Sequence, residues 1–377
     1  MRLSDILKKT GQLINPVSRT AASVKPDVPK PERTADIPAA PAPKHEKTQM
    51  EGSQIPLAKL QVLSPEETYS RSISEIKSIV EHLDSDEKFP SRIDAVGEIS
   101  ELSEDKSEEL AIMANKATPD LYLYSHSVNV CIFAALLGRQ LGLKENNLKE
   151  LSYCSFLHDI GMVKNLNIAQ KKGKLTASEY TQIKTHPPKG MELVNMLSHL
   201  SPEIKDTVSG VIGQIHERIN GGGYPDGLKG KDISMNARII SICDVYEALT
   251  HPRPYRDRFI PHEALKMMIT SADNDFDTDF LKAFIETVSL YPPGSYVRLN
   301  SEELARVVKL NAGLPTRPVV QVIASAKGQK VTENKIVDLA ASPFLFIKEA
   351  VDETKLELAD KKLALELKAV RWWVKSL

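Results

Sequence analysis

The sequence predicts a mainly α-helical bundle with a small β-rich C-terminal appendage and a disordered N-terminal segment. Three observations carry that prediction. Residues 15 to about 57 are rich in Pro, Ala, Lys and Thr, a composition that buries too little apolar surface to fold. From about 120 to 290, apolar residues recur with a period near 3.6, the spacing of one helical face. After "YPPGSYVRLN" the texture changes to short β-type runs separated by Asn, Gly and Pro.

Residues 1–57 are expected to be an extended, disordered segment. Its first fourteen residues, "MRLSDILKKTGQLI", admit two readings, a short amphipathic helix that touches a membrane or partner, or a frayed polar start. Residues 58–118 read as an N-terminal helical region. Ser64 followed by Glu67 fits a capping box, with Pro65 at the first helical position. Ile73, Ile76, Ile79, Val80 and Leu83 then repeat at helical spacing, and a second helix is expected over "SRIDAVGEISELSEDKSEELAIMAN". This region suits a dimerisation or signal-input element, and nothing in it names a ligand.

Residues 119–293 form the main helical domain. Its stripes are "HSVNVCIFAALLGRQLGL", "NNLKELSYCSFLHDIG", "EIKDTVSGVIGQIHE", "ARIISICDVYEALT" and "DFLKAFIETVSL". Thr176 and Glu179 give another capping box, and Pro187 is expected to end that helix. Within 294–350, "SYVRL", "LARVVKL" and "PVVQVIA" read as strands. Residues 351–377 form a plausible amphipathic helix whose Trp372 and Trp373 either anchor a partner or pack on the body.

Composition narrows the function classes. The 377 residues are 41% apolar and 26% charged, enough for a sizeable core. Lys plus Arg is 49 and Asp plus Glu is 50, which leaves no electrostatic footprint for a nucleic-acid polymer. Cys131, Cys154 and Cys243 lie in apolar segments without a CxxC pair, as reduced core cysteines of a cytoplasmic protein do. No apolar run approaches the ~20 residues of a membrane span.

Six polar residues stand in apolar company: His126, His158, Asp159, His186, His216 and Asp244. Asp244 sits in "IISICDVYEAL", where an unpaired carboxylate costs several kcal/mol, so it must be paired, protonated or bound to a cation. Any one of these residues alone reads as a satisfied core group. Together they come from different helices or helix ends, and a bundle can aim such side chains at one interior point. Imidazoles and carboxylates are a ligand set for Fe, Mn or Zn. Asp159 could bridge two ions, one from each oxygen. In "QIHERINGGGYPDGL", three consecutive glycines allow a loop to approach that point with bare backbone.

The order His126, His158-Asp159, Asp244 resembles the HD phosphohydrolase superfamily. "HDIG", "THPPKG", "HERINGGGYPDGL" and "ARIISICDVYEALTHPRPYR" narrow the resemblance to the HD-GYP subgroup, strongly over residues 120–260. The "YPPGSYVRLN…RPVVQV" segment is similar, less specifically, to the β-rich tail of such domains. The resemblance implies an HD-type bundle over 119–293 and a phosphodiesterase that opens cyclic di-GMP to pGpG or GMP by a metal-bridging hydroxide. His126, His158, Asp159 and Asp244 would hold one ion. Asp159, His186 and His216 would hold the second, with Fe or Mn the expected metals. The resemblance gives His158 and Asp159 the catalytic role. Gly223, Tyr224 and Pro225 would lie beside the substrate, while Arg253 and Arg256 would face phosphate. Those arginines read equally as a salt-bridged surface loop.

Four positions depart from the family pattern. Met162 stands where HDIGK places its lysine, and helical geometry turns Lys164 away. Ile215 replaces the first histidine of HHE, which takes a ligand from the second ion. Asn220 replaces an aspartate before the glycines. Tyr122 replaces a glutamate that supports a third ion in some members, so at most two are expected. The alternative is a degenerate module that binds cyclic di-GMP, or a signalling partner through the GYP face, without cleavage. A homodimer is compatible with either reading.

Overall fold

The computed structural model describes residues 64–85, 93–101, 104–115 and 122–369. The expectations for the N-terminal segment and for Trp372 and Trp373 lie outside these residues. Helix α1, Pro65–Ser85, opens on the expected box: Ser64 N–H donates to Glu67 Oε2 at 2.8 Å, and Glu67 N–H to Ser64 Oγ at 3.2 Å. Where one further helix was expected, two form, α2 at Ala95–Glu101 and α3 at Glu104–Ala114.

Helix α4, Tyr122–Gln140, runs through the middle of the body. It is buried almost continuously from Ser125 to Ala135, which its all-round apolar sequence demands. It packs on α1, α2, α3, α5 (Glu145–Leu157), α10 (Met235–Thr250) and α12 (Thr278–Val288). Edge-to-face contacts among Phe133, Tyr246 and Phe284, with ring centroids 5.1–6.2 Å apart, lock α4, α10 and α12 together.

After α5 the chain enters a 3-10 turn, Ile160–Asn165, and the short α6, Leu166–Ala169. Helix α7, Ala177–Ile183, carries the Thr176–Glu179 capping box. It stops three residues before His186, earlier than Pro187 alone requires. Pro187 instead starts α8, His186–Met196, because proline suits a first helical turn. Helix α9 is Pro202–Ile212 and α11 is Pro261–Asp275.

The β-rich part is a five-stranded antiparallel sheet, β4-β3-β2-β1-β5. Strands β1 (Tyr296–Leu299), β2 (Leu304–Lys309) and β3 (Val319–Ala324) match the expected runs. Strands β4 (Ile336–Asp338) and β5 (Ile347–Val351) were not expected. Alternation decides what each face buries. Val297, Leu299, Ala305, Val307 and Val320 join the helical core, whereas Tyr296, Leu304 and Ala324 pack on Leu363 and Leu367. The C-terminal helix begins later than its sequence pattern suggested. Residues 353–355 form a 3-10 turn, and α13 is Lys361–Ala369, with Leu363 N–H bonded to Asp360 Oδ1 at 3.0 Å. Among the described residues, no helix is long and apolar enough to cross a membrane. All three cysteines are buried and free.

Candidate metal centre

The six expected residues converge. His126 lies in the second turn of α4, His158 caps α5, and Asp159 follows it at the 3-10 turn. His186 opens α8, His216 lies in the turns after α9, and Asp244 is on α10. Two groups form around one shared carboxylate, His126–His158–Asp159 and Asp159–His186–His216, each with ligand atoms within 4.8 Å of one another. Asp244 Oδ1 faces His126 Nε2 at 3.3 Å, so it borders the first group.

A close crossing of backbones brings the two groups together. A Cβ on Gly161 would lie 2.0 Å from the His186 carbonyl oxygen and 2.6 Å from Gly190 N. Only glycine lets the Asp159 turn press so tightly against the start of α8. The glycine of "HDIG" and that of "THPPKG" are two sides of this crossing.

Hydrogen bonds fix the imidazoles in the form that binds metal. His158 Nδ1 is 2.8 Å from the Ser155 carbonyl, and His186 Nδ1 is 2.8 Å from the Ile183 carbonyl. Each Nδ1 must therefore carry the proton, which leaves Nε2 with a lone pair. These lone-pair nitrogens then face others at short range: His158 Nε2 to His126 Nε2 at 3.2 Å, and His186 Nε2 to His216 Nε2 at 2.8 Å. Facing acceptors repel unless a proton or a cation sits between them.

The carboxylates say the same. Asp159 Oδ1 is buried without a hydrogen bond, although His186 Nε2 lies 3.2 Å and His158 Nε2 3.7 Å away. Burial works against its charge, yet His158, His186 and His126 hold it well below the usual carboxylate range. Asp244 is partly buried, and His126 lowers it to about 2. Burial opposes charge on His126, but Glu247 and Asp244 raise it to about 10. Burial, then His186, lowers His216 to about 4. Two ionised carboxylates thus draw a proton onto His126, and a divalent ion would satisfy the same groups. The donor set and the orphaned Asp159 oxygen fit such ions.

Glu247, which sequence reasoning passed over, anchors the centre from behind. It is 1% exposed and lies one turn beyond Asp244 on α10. His126 Nδ1 is 2.5 Å from its Oε2, Arg253 Nη2 donates to the same oxygen at 2.7 Å, and Asn129 Nδ2 donates to Oε1 at 3.1 Å. A carboxylate on the far nitrogen of a ligand histidine orients the ring and raises its basicity. Asn129 Oδ1 in turn accepts from Tyr69 of α1 at 2.9 Å, so the chain runs Tyr69–Asn129–Glu247–His126. The i,i+3 spacing from Asp244 was the available signal.

The glycine-rich loop lies against His216. Tyr224 stacks on its ring, centroids 4.9 Å apart and planes 17° apart, and Tyr224 N–H donates to the His216 carbonyl at 3.2 Å. A Cβ on Gly223 would lie 2.4–2.5 Å from backbone of residues 216–218. Buried Glu217 turns away from the metal groups and accepts from Asp226 and Gly227 N–H at 2.7 and 3.0 Å. Pro225, at the loop's outer edge, follows Tyr224 through a cis peptide bond.

The two arginines, expected to face phosphate or to sit in a salt-bridged loop, have protein partners in this structure. Arg253 is spent on Glu247 and lies over the Tyr122 ring at 5.2 Å. Arg256 donates to the carbonyls of Ala248, Leu249 and Asp257 at 2.5–3.3 Å, closing the end of α10. Tyr122 donates its hydroxyl to the Ala169 carbonyl. Ile215 is fully buried in the core. Met162 lines a small recess with Ile76 and Val80 of α1, and Lys164 is turned out to the Leu83 carbonyl at 3.3 Å.

A family model described as an HD domain matches residues 100–280, and one described as a KOW domain associated with HD domain matches 296–359. The chain is 36% identical over 247 residues to a protein of Pseudomonas aeruginosa named cyclic di-GMP phosphodiesterase PA4108, covering 65% of this chain and 58% of that one. It is 30% identical over 248 residues to cyclic di-GMP phosphodiesterase PdeB of Borreliella burgdorferi, covering 65% and 64%. A third relative, 3'3'-cGAMP-specific phosphodiesterase 3 of Vibrio cholerae, is 31% identical over 172 residues, covering 45% and 36%. The chain thus spans less than two thirds of the length of these relatives.

Proposed function

Since the chain belongs to the HD-GYP family of HD-domain proteins, we propose that it is a metal-dependent phosphodiesterase acting on a cyclic dinucleotide. One observation carries the reading: two His/Asp groups meet at Asp159, whose buried Oδ1 has no hydrogen bond. His126, His158, Asp159 and Asp244 would hold one divalent ion, and Asp159, His186 and His216 the other. Such a pair supplies Lewis-acid stabilisation of the phosphoryl group and lowers the pKa of attacking water.

This chain's own residues do the rest. Ser155 and Ile183 carbonyls keep Nδ1 of His158 and His186 protonated, which aims both Nε2 lone pairs inward. Glu247 does the same for His126. Gly223, Tyr224 and Pro225 border the substrate, because their loop rests directly on His216. Two relatives named for cyclic di-GMP favour that substrate, with pGpG or GMP as product. The relative named for 3'3'-cGAMP makes it the competing dinucleotide. Iron and manganese suit the mixed imidazole and carboxylate donors.

Met162 and Ile215 favour a second reading, a module that binds cyclic di-GMP, or a protein at the GYP face, without cleaving. Ile215 lies in the core, and Met162 lines a recess that Asp159 also borders but brings no charge to it, so neither adds a ligand or a charge. One preparation separates the two. Bound Fe, Mn and Zn are counted per chain, and the protein is incubated with cyclic di-GMP and with 3'3'-cGAMP. About two ions and a linear product support the phosphodiesterase. One ion or none, with no product after Fe or Mn is supplied, supports the binding module. Asp159→Ala should empty both groups; unchanged metal content in that variant would remove Asp159 from the bridge.

A further inference from the structure

We infer that Lys184 supplies the phosphate-facing cation of this centre, the role Met162 does not fill. The inference rests on the phosphodiesterase reading for its substrate, but the placement of the lysine does not depend on it. Lys184 caps α7 and precedes the ligand residue His186 by two positions. Its ammonium lies over two tyrosine rings, 4.9 Å from the Tyr180 centroid and 4.8 Å from the Tyr224 centroid. Tyr224 is the residue that stacks on His216. Two successive contacts therefore join this cation to the second metal group, at the loop that borders the substrate.

Most other cations near the centre are engaged, while Lys229 runs along Gly221 of the glycine-rich loop. Arg253 is paired with Glu247, and Arg256 is held by three carbonyls. Arg218 donates to the carbonyls of Ile215 and Glu217, at 3.5 and 3.0 Å. Lys164 reaches the Leu83 carbonyl, and Lys189 lies 3.4 Å from Asn165 Oδ1. Lys184 forms no salt bridge with a carboxylate among the described residues, although both its neighbours are aromatic. Aromatic faces orient an ammonium without using up its three donors, and they hold it less tightly than a charge-assisted bond to phosphate would. The four-carbon stem lets the charge move from ring to phosphate as a point donor. The tyrosine of the GYP loop then has two tasks: it covers His216 and it seats the lysine.

The test uses the full chain loaded with Mn²⁺, compared with Lys184→Met and Lys184→Arg. Inorganic phosphate is titrated by calorimetry, cyclic di-GMP turnover is followed, and bound Mn is counted. Lys184→Met should weaken phosphate binding and lower kcat/KM by about tenfold or more, with metal content unchanged. Lys184→Arg should recover most of both. Phosphate affinity in Lys184→Met within about twofold of the parent chain would overturn the assignment. So would loss of metal, which would make the lysine a support for His186 only. Phosphate binding that depends on Lys184, in a chain that opens no cyclic dinucleotide, would leave the cation in place and remove the phosphodiesterase reading.

Discussion

Replacing Glu247 by glutamine keeps its volume and removes its charge. The side chain is 1% exposed, and its partners are His126 at 2.5 Å, Arg253 at 2.7 Å and Asn129 at 3.1 Å. The substitution strands Arg253, whose side chain is 7% exposed, without its counter-charge. Breaking a buried pair from one side costs about 3–5 kcal/mol. The amide oxygen can still accept a neutral hydrogen bond, which places the expected loss near the lower end, about 3 kcal/mol. His126 also exchanges a charged acceptor on Nδ1 for at best a neutral one, and weakening such a partner lowers metal affinity by roughly 10–100-fold. Urea unfolding of the metal-free chain measures the first effect, and Mn²⁺ titration the second. Adding Arg253→Met to Glu247→Gln should restore a large part of the stability but not the metal affinity, because the stranded charge is gone while His126 is still unanchored. A single variant within about 1 kcal/mol of the parent chain, with unchanged Mn²⁺ affinity, would refute this account of Glu247.

Gly161→Ala forces a methyl group against the His186 carbonyl and should cost about 1–3 kcal/mol or displace His186, read as a lower melting temperature with reduced metal content. Glu217→Ala leaves Asp226 and Gly227 N–H without their acceptor, so residues 221–228 should be cut faster by protease while metal content holds. His262 is lowered to about 4 by burial, with Lys266 adding to the effect. Its folded pKa lies below the unfolded one, so stability is full above pH ~6.5 and falls as pH drops towards 4, by up to roughly 3 kcal/mol. His262→Phe, which keeps the stack on Tyr291, should flatten that limb of the metal-free stability profile; an unchanged slope would acquit His262. Chelation of a chain carrying ions at 100 times their Kd should remove about 2.7 kcal/mol of stability per ion, seen as a fall in melting temperature.

Much of the centre was legible because its residues violate their surroundings. A histidine or aspartate inside an apolar stripe is conspicuous, and the spacing of His126, His158, Asp159, His186, His216 and Asp244 on separate elements pointed to convergence. Glu247 shares that property, but "DVYEAL" draws attention to Asp244 first. For Arg253 and Arg256 the sequence left a phosphate contact and a salt-bridged loop open, because an arginine's chemistry is visible in sequence and its partners, Glu247 and three carbonyls, are not. Lys184 was invisible for the opposite reason, since its tyrosine neighbours come from α7 itself and from a loop forty residues away. Capping boxes at Ser64 and Thr176 were readable because both partners are local. Strands β4 and β5 were not, because each draws its order from a neighbouring strand more than from its own alternation. The late start of α13 follows the same rule: Leu356 is held in the small second core, so the chain there serves packing before it turns helical at Asp360.

The hydrogen-bonded run from Tyr69 to His126 has a thermodynamic consequence for how the molecule can be controlled. Helix α1 is docked on the body partly through the residue that orients Glu247. Docking of α1 and retention of an ion at His126 then draw on one shared arrangement, so each must favour the other by the same factor. Loading the centre would tighten the helix, and a force or binding event that lifts the helix would loosen the ion. Tyr69→Phe removes one link without disturbing the apolar packing of α1, and the difference it makes to Mn²⁺ affinity is the size of that reciprocal leverage.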